Sequence, residues 1–527
     1  MSGPSLPERP DLDQLRRQAK ELKEAARAGQ ADALARVRGH FPATEPVTLA
    51  AAQLVIAREH GLPSWPALKA EVEARNASLT ERVDMFLHAS LRGPIRRAVR
   101  LLADDPGIAT YDFRTAVVLG DVERLRQAMA ADPGLALRPV PPVGWPPLLG
   151  ACNSRWHKGG AERADGLLAV ARLLLDAGAD PNTRVEDTAE STRCSTLFGA
   201  AGCSNNPAMT ELLLARGAVP DDETLYLAAF SDDHECVRLM LPHMPNIADS
   251  TALAAPISMN DIDGVRILLD GGVNPNRALP ADLFGEQHKG GPVGTVAAAV
   301  DGDCSVELIT LLLERGADPD TPGRGGLVAY QLALRHGRTD VAELLLRHGA
   351  TDSASAIDRL LAACRRADNA EARRLVDADP GLVGTLTDTD RGDALRHAAD
   401  SGDIGAVTLM LDVGFPVDSR SGEEGGTALH TAAGAGSVGL VRLLIDRGAD
   451  LEANDTTWQS PPLDWAIVGS GMRLGHDPAP DWIATVQALI DAGASLEDIA
   501  WGPVKPPSDE VAELLRGYGV GPVPDQD

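Results

Sequence analysis

Apolar positions along this chain gather into short triplets, each closed a few residues later by glycine. Leu173-Leu174-Leu175 runs into Gly178, Leu212-Leu213-Leu214 into Gly217, and Leu311-Leu312-Leu313 into Gly316. The figure returns as Ile267-Leu268-Leu269 before Gly271-Gly272, Leu344-Leu345-Leu346 before Gly349, and Leu409-Met410-Leu411 before Gly414. It closes with Leu443-Leu444-Ile445 before Gly448 and Ala488-Leu489-Ile490 before Gly493. Adjacent apolar residues, with a valine ahead of them as at Val170 and Val441, cover neighbouring faces of a helix. The pattern therefore predicts helices buried on more than one side. Glycine after the triplet takes the left-handed conformation that closes a helix at low cost. Asp180-Pro181-Asn182 then turns the chain away, because proline cannot continue a helix. Ahead of the triplets lie segments of small residues, such as Ala297-Ala298-Ala299 and His397-Ala398-Ala399, predicted as partner helices that pack closely.

The spacing is regular. From Gly316 to Gly349 is 33 residues and from Gly414 to Gly448 is 34. Weaker copies fill the gaps at Leu239-Met240-Leu241-Pro242, at Arg374-Leu375-Val376 before Pro380-Gly381, at Leu125 before Pro133-Gly134, and at Leu101-Leu102 before Pro106-Gly107. Self-similarity at this period predicts stacked repeats, in which one unit cannot bury its own apolar faces and stability comes from neighbours. The expected fold class is an all-α solenoid of about 12 helix pairs with short hairpin loops over residues 78–527, the last pair incomplete. The weak copies around Pro242–Pro245 are expected to bend the stack or loosen its cooperativity.

The fullest copy is Gly426-Thr427-Ala428-Leu429-His430-Thr431-Ala432-Ala433 with Val441 to Asp450 behind it. These residues resemble the ankyrin repeat. The resemblance implies an array that binds other proteins and does no chemistry, with His430 hydrogen-bonded to neighbouring backbone. Other copies depart from the pattern: Arg396 stands where the family has His, and Asp464-Trp465 and Ala329-Tyr330 replace the usual polar pair.

Residues 11–75 do not follow the repeat. Leu12, Leu15, Ala19, Leu22 and Ala26 mark the stripe of a first helix between Asp11 and Gly29, and a second is predicted near Asp32–Arg38. Thr48 caps a third, ending at Gly61, and Ser64-Trp65-Pro66 opens a fourth. The stretch from Gln53 to Lys69 is similar to an element that precedes ankyrin arrays in many bacterial, among them actinobacterial, proteins. It is read as a separate module, 1–77, serving either as a cap or as an effector segment.

Composition narrows the function. Arginine far outnumbers the six lysines, which with abundant Ala and Gly fits a high-GC bacterial genome. Net charge is −27, and because residues 1–80 are almost neutral the acidity belongs to the repeats. Nucleic-acid binding draws on neutralised phosphates, so none is expected; basic or hydrophobic protein partners are favoured instead. The cluster Arg92, Arg96, Arg97 and Arg100 reads as a solvated face. No apolar run reaches membrane-spanning length and no secretion signal opens the chain, so the expectation is a cytoplasmic monomer. Six scattered cysteines read as reduced, packed thiols.

Two repeats carry insertions between their helices, at 153–167 and 469–483, and a third excursion spans 277–293. Tryptophans cluster in or near such segments, and Trp and Arg are enriched at binding hot spots. The candidate partner-binding residues are Trp145, Trp156, His157, Lys158, Trp458, His476 and Trp482; the other reading is that the tryptophans seal the base of their own loops. In a curved stack both insertions are expected along one rim, within reach of one large ligand. Phosphate-cradling loops, His-Glu-x-x-His and nucleophile elbows are absent from the sequence. Cys152 and His157 alone make a weak ligand pair. No catalytic residue, metal or cofactor is expected. The function read from the sequence is a non-enzymatic protein–protein interaction scaffold. The alternatives are a regulatory module acting through the N-terminal segment and a secreted or toxin-associated effector.

Overall fold

The structure is a computed structural model describing residues 6–7, 10–39, 47–62, 64–139, 141–187, 192–280, 292–420, 425–472, 480–497, 499 and 507–520. The described residues are largely helical, and the chain divides into two units. One holds residues 11–68 and 328–527, the other residues 6–10 and 69–327.

In the first unit, Leu12–Arg27 packs on Ala31–Arg38 and Leu49–Glu59. Asp11 caps the first of these by accepting the N–H groups of Asp13 and Gln14, and Thr48 caps the third through Ala51. From Ala329 to Asp491 the helices come in pairs. Ala329–Arg335 pairs with Thr339–Arg347, Ala356–Arg365 with Asn369–Ala378, and Asp388–Asp400 with Ile404–Asp412. Ala428–Gly434 pairs with Val438–Asp446, and Pro462–Met472 with Trp482–Asp491. One apolar core runs from Ile357 to Val520, taking in Leu395, Met410, Leu429, Leu444, Leu463 and Leu489. Each pair thus shares its buried side with the next. Gly448 closes its helix at φ 82°, the left-handed turn expected after the leucine triplet.

The second unit repeats the scheme. Leu79–Leu91 packs on Ile95–Asp104, and Phe113–Leu119 on Val122–Ala131. Pro147–Cys152 packs on Ala161–Asp176, and Thr295–Asp301 on Val306–Glu314. The weak copies end in a recurrent device: the Asp105 and Asp132 carboxylates each accept a glycine N–H two residues on, closing Asp-Pro-Gly into a tight helical turn. Pro242 cuts its helix to Glu235–Met240 and continues as a single tight turn, Leu241–His243.

The helices are not everything. An antiparallel hairpin joins Arg184–Asp187 to Thr192–Ser195, pairing Val185 with Cys194, and Leu279 bridges Val293. Both lie in connections between repeats, where paired strands satisfy backbone groups that no helix takes up. The all-α reading misses them because the helical period dominates the pattern on either side.

Neighbouring repeats are also tied by polar groups. Asn182 donates to the Gly217 carbonyl at 2.9 Å and accepts from the Val219 N–H at 2.9 Å. Asn276 does the same to the Gly316 carbonyl and the Asp318 N–H. Arg216, Arg315 and Arg447 each reach back to an aspartate of an earlier helix, Asp176, Asp270 and Asp412.

Candidate functional site

The 153–167 insertion builds a cleft in the second unit. Ser154 caps the turn Arg155–Lys158, accepting the Trp156 N–H and donating its hydroxyl to the Val118 carbonyl at 2.7 Å. In so tight a turn, residues three apart fall on one side. Trp156 and His157 face inward, while Arg155 and Lys158 share the solvent side. Trp156 is 9% exposed, lies 6.0 Å from the Phe86 ring, and donates its indole N–H to the Ser90 hydroxyl at 3.0 Å. His157 donates from Nε2 to the Ala151 carbonyl at 3.0 Å and accepts at Nδ1 from Asn206. Burial pushes the His157 imidazole below its ordinary value despite that carbonyl, so it stays neutral.

Across from this turn stands Trp145, just ahead of the Pro147–Cys152 helix and only 3% exposed. The Arg92 guanidinium lies 5.1 Å above its ring, a cation–π stack. Arg155 donates to the Arg92 carbonyl at 3.2 Å, joining the two walls. The Trp145 indole N–H is buried with no hydrogen-bond partner among the described residues. Between the walls lies a cleft of about 610 Å³, with Ile95, Val99 and Phe198 as its apolar side and Cys203 at its edge. Burial raises the Cys203 thiol, while Arg155 and Lys158 both pull it back down, which places these two charges on the cleft. No carboxylate lines it among the described residues. Neither Arg155 nor Lys158 has an acidic partner among them.

The remaining sequence candidates lie in the other unit. Trp482 opens the Trp482–Asp491 helix half-buried, donating to the Gly434 carbonyl at 3.1 Å. Its ring fills the space beside Gly436, where an added Cβ would lie 2.8 Å from it. Trp458 is 52% exposed and leans on Trp465 at 5.7 Å. Trp465 in turn donates to Asp455 and packs against His430. His476 lies outside the described residues. So Trp145, Trp156, His157 and Lys158 come together at one cleft of the second unit, while Trp458 and Trp482 belong to the first unit. The sequence passes over Arg92 and Cys203 as parts of this cleft. Arg92 reads there as one member of a solvated arginine face, which describes the exposed Arg96 and Arg100 but not Arg92.

His430 behaves as the repeat requires. Its Nδ1 accepts the Thr427 N–H at 3.0 Å, and its Nε2 donates to the Ser460 carbonyl at 3.1 Å, joining its helix to the next turn. Among the described residues, no three His, Cys, Asp or Glu side chains are placed to hold a metal ion. Cys152 sits beside the cleft fully buried, its thiol pushed far up by burial. No helix among the described residues is long and apolar enough to cross a membrane.

A family model described as ankyrin repeats (3 copies) matches residues 197–278 and 360–455. No curated protein matches the chain. Among solved structures it is similar to an ankyrin repeat domain from Acinetobacter baumannii AYE, at 20% identity and TM-score 0.31 over 39% of this chain and 98% of that one. It is also similar to the human ASB11 ankyrin repeat domain, at 21% identity and TM-score 0.22 over 46% of this chain and 98% of that one. The match to the family model, with the His430 bonding and the glycine-closed helix pairs, makes this an ankyrin-repeat-containing protein.

Proposed function

We propose that this chain is a non-enzymatic protein-recognition scaffold. Its repeats, about 12 helix pairs over residues 78–527 by the sequence count, hold a partner protein, and the cleft around Arg155 and Lys158 is where they do so. On this reading residues 1–77 form a helical module ahead of the array, and the chain works as a monomer in a bacterial cytoplasm. The observation that carries the reading is the cleft itself. Its volume falls within the range of about 300–1,000 Å³ found for ligand clefts, and it combines an apolar wall with a few convergent polar groups. Trp156 and His157 hold its turn in place, so the surface is formed before a partner arrives.

The test is to pan a random 12-residue peptide library against the full chain and synthesise the enriched sequences. Bound peptides are expected to slow amide hydrogen exchange across residues 92–99 and 153–160. A library that enriches nothing, or peptides that protect only residues outside the second unit, would overturn the reading.

A further inference from the structure

We infer that the segment held in this cleft is acidic, an extended peptide carrying carboxylates beside an aliphatic or aromatic side chain. The inference rests on the protein-recognition reading and names the chemistry of the partner.

The first argument is charge. The chain has 76 acidic against 49 basic side chains. Many of its arginines are matched to carboxylates, as Arg216, Arg315 and Arg447 are across the repeats. Arg155 and Lys158 are not. They stand three residues apart on the outer side of one turn, exposed, without an acidic partner among the described residues, over a cleft that no described carboxylate lines. Two cations converging on one edge make a local positive site on an acidic molecule. A carboxylate arriving there gains charge-assisted hydrogen bonds that the protein itself does not supply.

The second argument is independent of charge. The Trp145 N–H is buried and unpartnered, and indole N–H groups usually find an acceptor when buried. It is a donor with no acceptor function, so what would satisfy it is an oxygen, which a peptide carbonyl or carboxylate carries. The third argument is the wall of Ile95, Val99 and Phe198. Val99 is 49% exposed, an apolar surface that an aliphatic or aromatic side chain next to the carboxylates would cover.

A nucleic acid offers anionic oxygens too, but the site fits it poorly. Both tryptophan rings are buried, so neither offers an open face for base stacking. A long polyanion would also run out over a chain of net charge −27. A short acidic peptide meets the cations and goes no further.

The experiment uses the peptides enriched by panning the full chain, fluorescently labelled, titrated by anisotropy against the intact protein and its variants. The enriched set is expected to be rich in Asp and Glu flanking an apolar residue. Replacing those acids by their amides is expected to weaken binding at least tenfold. R155E/K158E is expected to weaken it by a similar factor while melting as the parent does. R172E, an exposed charge reversal outside the cleft, is expected to change it less than twofold. Trp145→Phe keeps an aromatic ring but removes the N–H together with the pyrrole half of the indole, and should cost about threefold or more. Enrichment of basic or uncharged peptides that still protect the cleft would overturn the acidic assignment and leave the recognition reading standing. Acidic peptides that bind R155E/K158E unchanged would overturn it equally. A single-stranded 12-nucleotide probe that competes at equal concentration would assign the site to nucleic acid instead. No enrichment of any peptide would sink both.

Discussion

Trp156 and Arg155 are adjacent in sequence and opposite in consequence. The tryptophan is an anchor, buried against Phe86 with its N–H on Ser90, while the arginine stands in solvent. Truncating Trp156 to Ala is expected to lower stability by about 3–5 kcal/mol, as for a buried aromatic. Arg155→Ala should stay within about 0.5 kcal/mol. Urea unfolding of both variants checks the contrast, and equal losses would contradict the placement of the turn. The buried histidines give a pH dependence. Burial pushes His430 below its ordinary value of 6.5, although the Ser460 carbonyl opposes this. The unfolded chain binds a proton near pH 6.5 that the folded chain refuses until a lower pH. The stability this group contributes is therefore fully present above pH 6.5 and is lost as pH falls below it. His157 shifts the same way. The melting temperature should fall between pH 7.5 and 5.5, and His430→Gln should flatten that fall; an equally steep profile in the variant would contradict it. The role of His430 is legible in sequence, because Thr-x-Leu-His places imidazole and backbone three residues apart on one turn. The pairing of Arg155 with Lys158 is not. Their spacing acquires meaning only once the turn is tight and the two residues between them are buried.

At the scale of elements, the helix pairs follow the sequence closely. Leucine triplets, small-residue helices and glycine closures all act within a few residues, where sequence patterns are informative. The inserted segments are less legible, because their conformation is decided by what they pack against. One detail recurs in both repeats that carry insertions: a glycine of one helix lies on the backbone of a preceding one. A Cβ at Gly166 would overlap the Gly120 carbonyl, and one at Gly469 would overlap the Gly434 carbonyl. Backbone cannot swing aside as a flexible side chain does. Gly469→Ala is therefore expected to destabilise by about 1–3 kcal/mol, the range of overpacked cores. Gly384→Ala, with open space around its Cβ, should be nearly silent. Thermal melts of the two variants decide it, and an unshifted Gly469→Ala would show that these helices stand further apart.

For the whole molecule the dominant quantity is charge. A net charge of −27 opposes the compact state through self-repulsion, and the arginine pairs across repeats only partly offset this. Salt screens both, but exposed pairs contribute little, about 0–1 kcal/mol each. The melting temperature should therefore rise as sodium chloride goes from 20 to 300 mM, whereas acidic-peptide affinity should fall over the same range. A melting temperature that dropped with salt would mean that the pairs outweigh the repulsion. The polar ties between repeats carry one more consequence. Asn182 and Asn276 grip only main-chain atoms of the repeat that follows, a carbonyl and an N–H. Those atoms are the same whatever side chains the next repeat bears. This part of the joint is thus blind to its neighbour's identity, unlike the Arg216–Asp176 and Arg315–Asp270 pairs beside it. A duplicated or shuffled copy would keep these two bonds without any second change, so they leave the array free to lengthen or diverge one repeat at a time.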